Sequence, residues 1–363
     1  MVKSSRYELF VFALIVATAI FFRFYHLGFT PWTPSNTTAV IGIITVIGLY
    51  MLVKEMFDWH IAALSSFVMA ISFWHVSLSR AGLEAVTVPF MFVYVFHFLW
   101  RGFKNMRLSY FFWAGVLGGL GFYTELSYWT APFIAIALFV AYWEFLKNTY
   151  DHSKYEHIRN QLLRGFALTM VVAFIVVLPL AVYFIYHPGE FMKDFGFSVF
   201  NQSNPLQALG ISIRDTLGMF NFSGNPMLPW PIGIFFIIGF IKEFGHWLER
   251  KHGHLSPLHT FLFAWFFITL LPGFFTIQAP NILLTISVLP VAMIFVGRGI
   301  WWFFKAIGAW RDMVHPTEQY HLHHLIDPAA VITIVLLLTG FASYEYHHYF
   351  NGQNNIEIFT MPR

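Results

Sequence analysis

The chain of 363 residues contains no cysteine, which excludes disulfides, thiolate nucleophiles and cysteine-based metal sites. Charge is scarce too. Asp, Glu, Lys and Arg together make up 11% of the residues, against about 25% in soluble domains, so an ordinary water-soluble fold is excluded. One absence is local: no carboxylate occurs between Glu8 and Glu55. The turn that follows the first apolar run therefore holds no acid able to do chemistry. Internal repeats of clear period are lacking, and so is any stretch that reads as a soluble domain.

What is present is apolar. Hydrophobic residues account for 58% of the chain and aromatic ones for 20%, and runs approaching the ~20 residues that cross a hydrocarbon core recur along its length. The expectation is an all-α polytopic transmembrane helix bundle forming one integral membrane domain over 1–363, with about eleven crossings. These are Glu8–Tyr25, Thr38–Val53, Ile61–Leu78, Val86–Trp100, Ser109–Tyr123, Tyr128–Leu146, Gly165–Tyr186, Trp230–Ile241, Thr260–Phe275, Leu283–Gly299 and Ala329–Tyr346, the second and eighth of them short. Lys3 and Arg6 precede the first run as in a signal peptide, but no small-residue cleavage site follows, so it is read as an uncleaved helix.

Orientation follows from the cations, because positively charged loops stay on the cytoplasmic side. Of the 21 Lys and Arg residues, 16 fall in alternate loops on the side of Lys3 and Arg6, and 5 (Arg23, Arg80, Lys193, Arg214 and Arg363) on the other. That predicts a multi-pass protein of the cell membrane with its N-terminus cytoplasmic and its C-terminus outside.

Short outer helices are expected around 190–220. In "NPLQALGISIRDTLGMF", Asn204 suits an N-cap and Pro205 the first helical position. Leu206, Leu209, Ile213, Leu217 and Phe220 then form a stripe facing lipid or the bundle. "SKYE", Ser153 to Glu156, reads as a capping box at the cytoplasmic side. Pro89, Pro132, Pro179, Pro272 and Pro290 lie within apolar runs and are expected to mark kinks.

Several stretches carry a resemblance: "RFYHLG" at Arg23–Gly28, "SFWHVSLSRAGLEAVTVPF" at Ser72–Phe90, "AGVLGGLGFYT" at Ala114–Thr124, then "HPGEFMKDF", "NPLQAL" and "LGMFNFSG". In order and spacing the chain resembles the GT-C membrane glycosyltransferases, the superfamily of protein O-mannosyltransferases and the aminoarabinose lipid A transferase. The resemblance implies a polyprenyl-phosphate-linked sugar as donor, a site at the outer membrane face and transfer to an acceptor there. It also exposes departures. Relatives carry an Asp-Glu pair in a long first outer loop, whose Asp is the expected base; here Trp32 to Thr38 stands in its place. Where relatives often have Pro-His-x-x-Arg, this chain has Asn281 and Leu284, and Trp129 stands where many have Arg.

The candidate site residues are correspondingly few. Of the acids expected outside (Glu84, Glu125, Glu190, Asp194, Asp215, Glu345 and Glu357), Glu84 and Glu125 are the catalytic candidates, Glu125 as substitute base. Arg23, Arg80 and His75 are the candidates for substrate binding. Each has a plainer reading. Arg80 and Glu84, four apart, suit a local ion pair; Glu125 and Arg23 suit interfacial anchors; His75 suits a packed histidine. The 17 histidines include "HLHH" at His321–His324 and "KHGH" at Lys251–His254, without a clean ligand set, so no metal is assigned. "NTT", "NQS" and "NFS" at Asn36, Asn201 and Asn221 are glycosylation triplets. Membrane lipid and a lipid-linked sugar are the expected partners, with nothing pointing to nucleic acid. Beside the transferase reading stands a catalytically degenerate GT-C-like scaffold or lipid-binding partner subunit. A transporter is the third option, disfavoured because no broken-helix pair stands out.

Overall fold

The computed structural model describes residues 6–27, 35–192, 198–222, 226–249, 255–314 and 328–350. They form helices α1 (Arg6–Phe24), α2 (Asn36–Met56), α3 (Trp59–Ile71), α4 (Phe73–Arg80), α5 (Thr87–Asn105), α6 (Leu108–Leu120), α7 (Ala131–Thr149), α8 (His152–Tyr186), α9 (Pro188–Met192), α10 (Pro205–Gly218), α11 (Trp230–Leu248), α12 (Pro257–Phe274), α13 (Ile282–Thr285), α14 (Leu289–Val314) and α15 (Pro328–Phe350). Short 3-10 turns link several of them, and no strand occurs among the described residues. The all-α membrane bundle read from the sequence is what the chain forms.

Among the described residues, eight helices are long and apolar enough to cross a membrane, or nine if a bent pair counts as one span. The eleven expected crossings are therefore not all matched by helices of spanning length; α6, with 13 residues, is one that falls short. The crossings expected to be short are longer than read: α2 has 21 residues and α11 has 19. The third is broken rather than straight. α3 and α4 meet at Ser72 with a bend of 55°, so a broken span is present after all. Ser72, His75, Ser77, Ser79 and Arg80 make this stretch too polar to face lipid, and every residue of α4 is buried.

Prolines do less than expected. Pro179 and Pro272 lie inside helices, whereas Pro89, Pro132 and Pro290 fall in first turns, where the missing N–H costs nothing. The Ser153–Glu156 capping box does not form, because α8 already begins at His152 behind Asp151. The loop between α1 and α2 at 28–34 lies outside the described residues, as do the histidine clusters at 251–254 and 321–324.

Close helix crossings organise the bundle, since small residues let backbones approach where lipid offers no hydrophobic drive. On α6 a Cβ at Gly115 or Gly119 would stand 2.8 Å from the Thr169 or Ala173 carbonyl of α8. Gly239 of α11 and Gly299 of α14 pack directly against the other helix's backbone, at the Phe295 and Phe235 carbonyls. At the end carrying most of the cations, Glu243 is 0% exposed. Arg298 Nε and Nη2 each lie 2.6 Å from its Oε1, and His259 Nε2 lies 3.1 Å from its Oε2. That carboxylate ties α11, α12 and α14 together. Glu8 likewise meets Lys54 and Tyr50 between α1 and α2.

At the start of α3, Asp58 accepts the amides of His60 at 2.8 Å and Ile61 at 3.1 Å. The His60 ring hydrogen bond, then the two amides, hold its carboxyl below the usual range despite partial burial. Asp58→Ala is expected to cost about 1 kcal/mol, the usual worth of an N-cap. A depressed pKa stabilises above the unfolded value of about 4 and is lost as pH falls through the folded one. Melting curves of parent and variant in detergent micelles should differ at neutral pH and converge on acidification; a gap independent of pH refutes the assignment.

Candidate functional site

The candidate site lies at the opposite end of the bundle, where α1 stops. The last carbonyls of a helix lack intrahelical partners and carry partial negative charge, so a cation placed on them is stabilised. Arg80, in the last turn of α4, donates Nη1 to Phe22 O at 3.0 Å and Tyr25 O at 2.6 Å, and Nη2 to His26 O at 3.1 Å. His26 has the left-handed φ of 52° that ends the helix. The Arg80 guanidinium lies 5.1 Å and 5.2 Å from the ring centroids of Tyr349 and Phe350, and the residue is 1% exposed.

Arg23 is 0% exposed. Its Nη1 donates to Ala19 O at 3.1 Å and Ala70 O at 3.0 Å, and its Nη2 meets His75 Nδ1 at 2.5 Å. Arginine can only donate, so His75 accepts through Nδ1, and a neutral ring carries its proton on Nε2. Gly42 makes room: a Cβ there would come 2.6 Å from Arg23 Nε and 2.7 Å from Ser79 Cβ. Thr38 Oγ1 donates to Ser79 O at 2.7 Å, fastening α2 to α4. Arg23 Nε, Arg80 Nε and His75 Nε2 are buried without hydrogen-bond partners among the described residues.

Thus Arg23, His75 and Arg80 come together. Glu84 does not join them by an ion pair. Gly82, with φ of 72°, ends α4 before Glu84, so the four-residue spacing no longer sets the two side chains on one helical face. No ion pair links Arg80 to Glu84 among the described residues, and Glu84 is exposed on the rim. Glu125 belongs to a second group. Its carbonyl accepts the Tyr128 amide at 2.9 Å at the head of the turn Leu126–Thr130, which packs on α12 and α13. There Asn281 Oδ1 accepts the Leu284 amide at 3.1 Å, so it caps α13. α5 runs between the two groups and touches the turns of both.

Around them lies α10, with Asn204 before Pro205 as expected. Its bundle face is polar: Ser212 and Thr216 donate to Thr276 O at 2.6 Å and Gly273 O at 3.1 Å. Leu206 and Leu217 of the apolar stripe point away, exposed. Asn221 is buried and donates to Leu228 O at 3.2 Å, which removes it as a glycosylation acceptor in the folded chain. Among the described residues no group of three His, Asp or Glu side chains is placed to hold a metal ion.

The family described as dolichyl-phosphate-mannose-protein mannosyltransferase matches residues 10–183. Among solved structures, the oligosaccharyltransferase of Archaeoglobus fulgidus in its apo form superposes with a TM-score of 0.58 at 11% identity, over 94% of this chain and 56% of that one. The archaeal oligosaccharyltransferase AglB from Archaeoglobus fulgidus, in complex with an inhibitory peptide and a dolichol-phosphate, gives a TM-score of 0.58 at 13% identity, over 95% and 55%. The chain has a GT-C fold. It spans a little over half the length of those structures, and no curated protein matches it in sequence.

The GT-C resemblance named the residues of the α1–α4 cluster but missed a participant. Glu345 is 1% exposed, on α15, which packs against α3 and α4. Its signal was an acid inside the last apolar run, in "ASYEYHHYF", where lipid tolerates charge only if it is buried in protein.

Proposed function

We propose that the chain is a GT-C-type glycosyltransferase of the cell membrane, taking a sugar from a polyprenyl-phosphate donor to an acceptor at the outer face. The observation that carries this reading is the match of residues 10–183 to a family named for a dolichyl-phosphate donor, on a fold shared with a protein solved with dolichol-phosphate. Arg23 and Arg80, with the neutral His75 ring beside Arg23, supply the buried positive charge near which a lipid phosphate would lie, and Glu84 and Glu125 are the carboxylates within the outer turns. A second reading, a degenerate lipid-binding scaffold, is favoured by one specific observation: Arg23 and Arg80 already spend their terminal nitrogens on backbone carbonyls and on His75.

Both readings require an anionic lipid site. Protein in nanodiscs labelled with a photoreactive polyprenyl phosphate should crosslink within 80–87, 121–130 or 276–285, and excess unlabelled polyprenyl phosphate should suppress the crosslinks. Equal suppression by neutral polyprenol would show that only the hydrocarbon tail is held, and would sink both.

A further inference from the structure

The Glu243 carboxylate is met from within the bundle, by Arg298 on Oε1 and by His259 of α12 at 3.1 Å from Oε2. Two further basic side chains stand beside it with no acid to answer them. Lys242 and His246 are one helical turn apart on α11, which sets them on one flank of that helix. No carboxylate lies within ion-pair distance of either among the described residues, Glu249 included.

Trp302 of α14 joins the two. Lys242 Nζ lies 5.6 Å from its ring, within the range over which an aromatic face attracts a cation, and the His246 ring lies 5.5 Å from it. The indole is held in place, since its Nε1–H donates to Glu243 Oε1 at 3.4 Å. His246 is held too. Its Nδ1 stands 2.7 Å from Lys242 O; a carbonyl only accepts, so Nδ1 carries a proton and Nε2, across the ring, is left for a ligand. The same ring stacks on that of His259, 5.9 Å away and inclined by 9°. An ammonium and an imidazole edge are thus presented together on a platform fixed by a buried ion pair.

Lys242 is exposed and His246 half-buried. The next face of α11 carries Ile241 and Leu248, both exposed, on a helix long and apolar enough to span a bilayer. An anion reaching the pair therefore arrives along acyl chains rather than from open water.

We infer that Lys242, His246 and Trp302 form a site for the headgroup of an anionic phospholipid, with its phosphate on the Lys242 ammonium, its polar edge on His246 Nε2 and its chains along α11. Basic pockets between spanning helices suit such headgroups. The site lies at the other end of the bundle from the α1–α4 cluster and stands whether or not the chain transfers sugar.

Phosphatidylglycerol carrying a headgroup diazirine, in nanodiscs of phosphatidylcholine, is the probe. Crosslinks located by peptide mass spectrometry should fall within 241–248 and 298–305. Unlabelled phosphatidylglycerol should suppress them, and further phosphatidylcholine should not. Lys242→Gln should raise the probe content for half-maximal labelling about fivefold, the worth of one cation near a membrane surface. His246→Phe keeps a ring on His259 and should raise it severalfold, while Lys242→Arg, which keeps the charge, should label as the parent does. Lys104→Gln removes a cation that pairs with Glu55 at 3.1 Å and is the control for net charge. Unchanged labelling in Lys242→Gln or His246→Phe overturns the site. So does an equal loss in Lys104→Gln, which would mean diffuse attraction to a basic surface, or in Lys242→Arg, which would mean packing rather than charge. Suppression by inorganic phosphate would show a dissolved anion as the ligand and overturn the lipid assignment.

Discussion

Gly239→Ala is expected to drive α11 and α14 apart and to abolish recovery of monodisperse protein from detergent. The added methyl would stand far inside contact distance of the Phe295 carbonyl, which is backbone and cannot swing aside. Gly299 faces the Phe235 carbonyl in the same way, so the crossing has no slack on either helix. Overpacking a side-chain core costs about 1–3 kcal/mol, and two backbones held at glycine distance should exceed that. The Glu243–Arg298 pair should amplify the loss, because prying the helices apart strains a buried charge contact. Gly245→Ala is the control on the same helix: nothing lies within 4 Å of its Cβ, and alanine gains roughly 0.8–1 kcal/mol in helix propensity. Size-exclusion profiles and melting temperatures of the two variants decide it. Equal behaviour would mean that α11 and α14 are not packed as described.

Turnover is the second large effect. With polyprenyl-phosphate sugars in lipid, the chain is expected to transfer sugar several orders of magnitude more slowly than a GT-C enzyme with an intact first loop. Residues 28–34 contain no Asp or Glu, and general acid-base help is worth ~10²–10⁴ in rate. The cations that remain are held by carbonyls, so charge stabilisation of a leaving phosphate is weakened as well. Radiolabelled donor, single-turnover conditions and the pair Glu84→Gln and Glu125→Gln give the measurement. Fast transfer abolished by Glu125→Gln would identify a substitute base and reverse the expectation. Donor retention without transfer would favour the scaffold reading.

The sequence announced the helices because apolar runs of membrane length leave little choice. It did not announce their partners. α3 and α4 read as one crossing because the run from Ile61 to Leu78 is continuously apolar enough. Beside the break at Ser72, the Ala70 carbonyl is held by Arg23 from the first helix. Arg80 and Glu84 suggested an ion pair by spacing, and one glycine with positive φ removed it. Arg23, His75 and Arg80 were legible as a group through their motifs, but not that both guanidinium groups would be turned onto backbone carbonyls. Glu345 stood among the outer acids without distinction, since its burial comes from packing on helices far earlier in the chain.

α6 and α8 pack side by side and differ greatly in reach. At 1.5 Å per residue, the 35 residues of α8 extend about 52 Å and the 13 of α6 about 20 Å. A hydrocarbon core of about 30 Å is overshot by one and not filled by the other. Lipid tails bordering α6 must shorten or splay, which costs fractions of a kcal/mol per ångström. The stretch of 3-10 turns at 121–130 that continues α6 then sits lower than the headgroups beside α8. The outer leaflet should be dimpled on that flank, bringing water and lipid phosphates down to the level of Glu125.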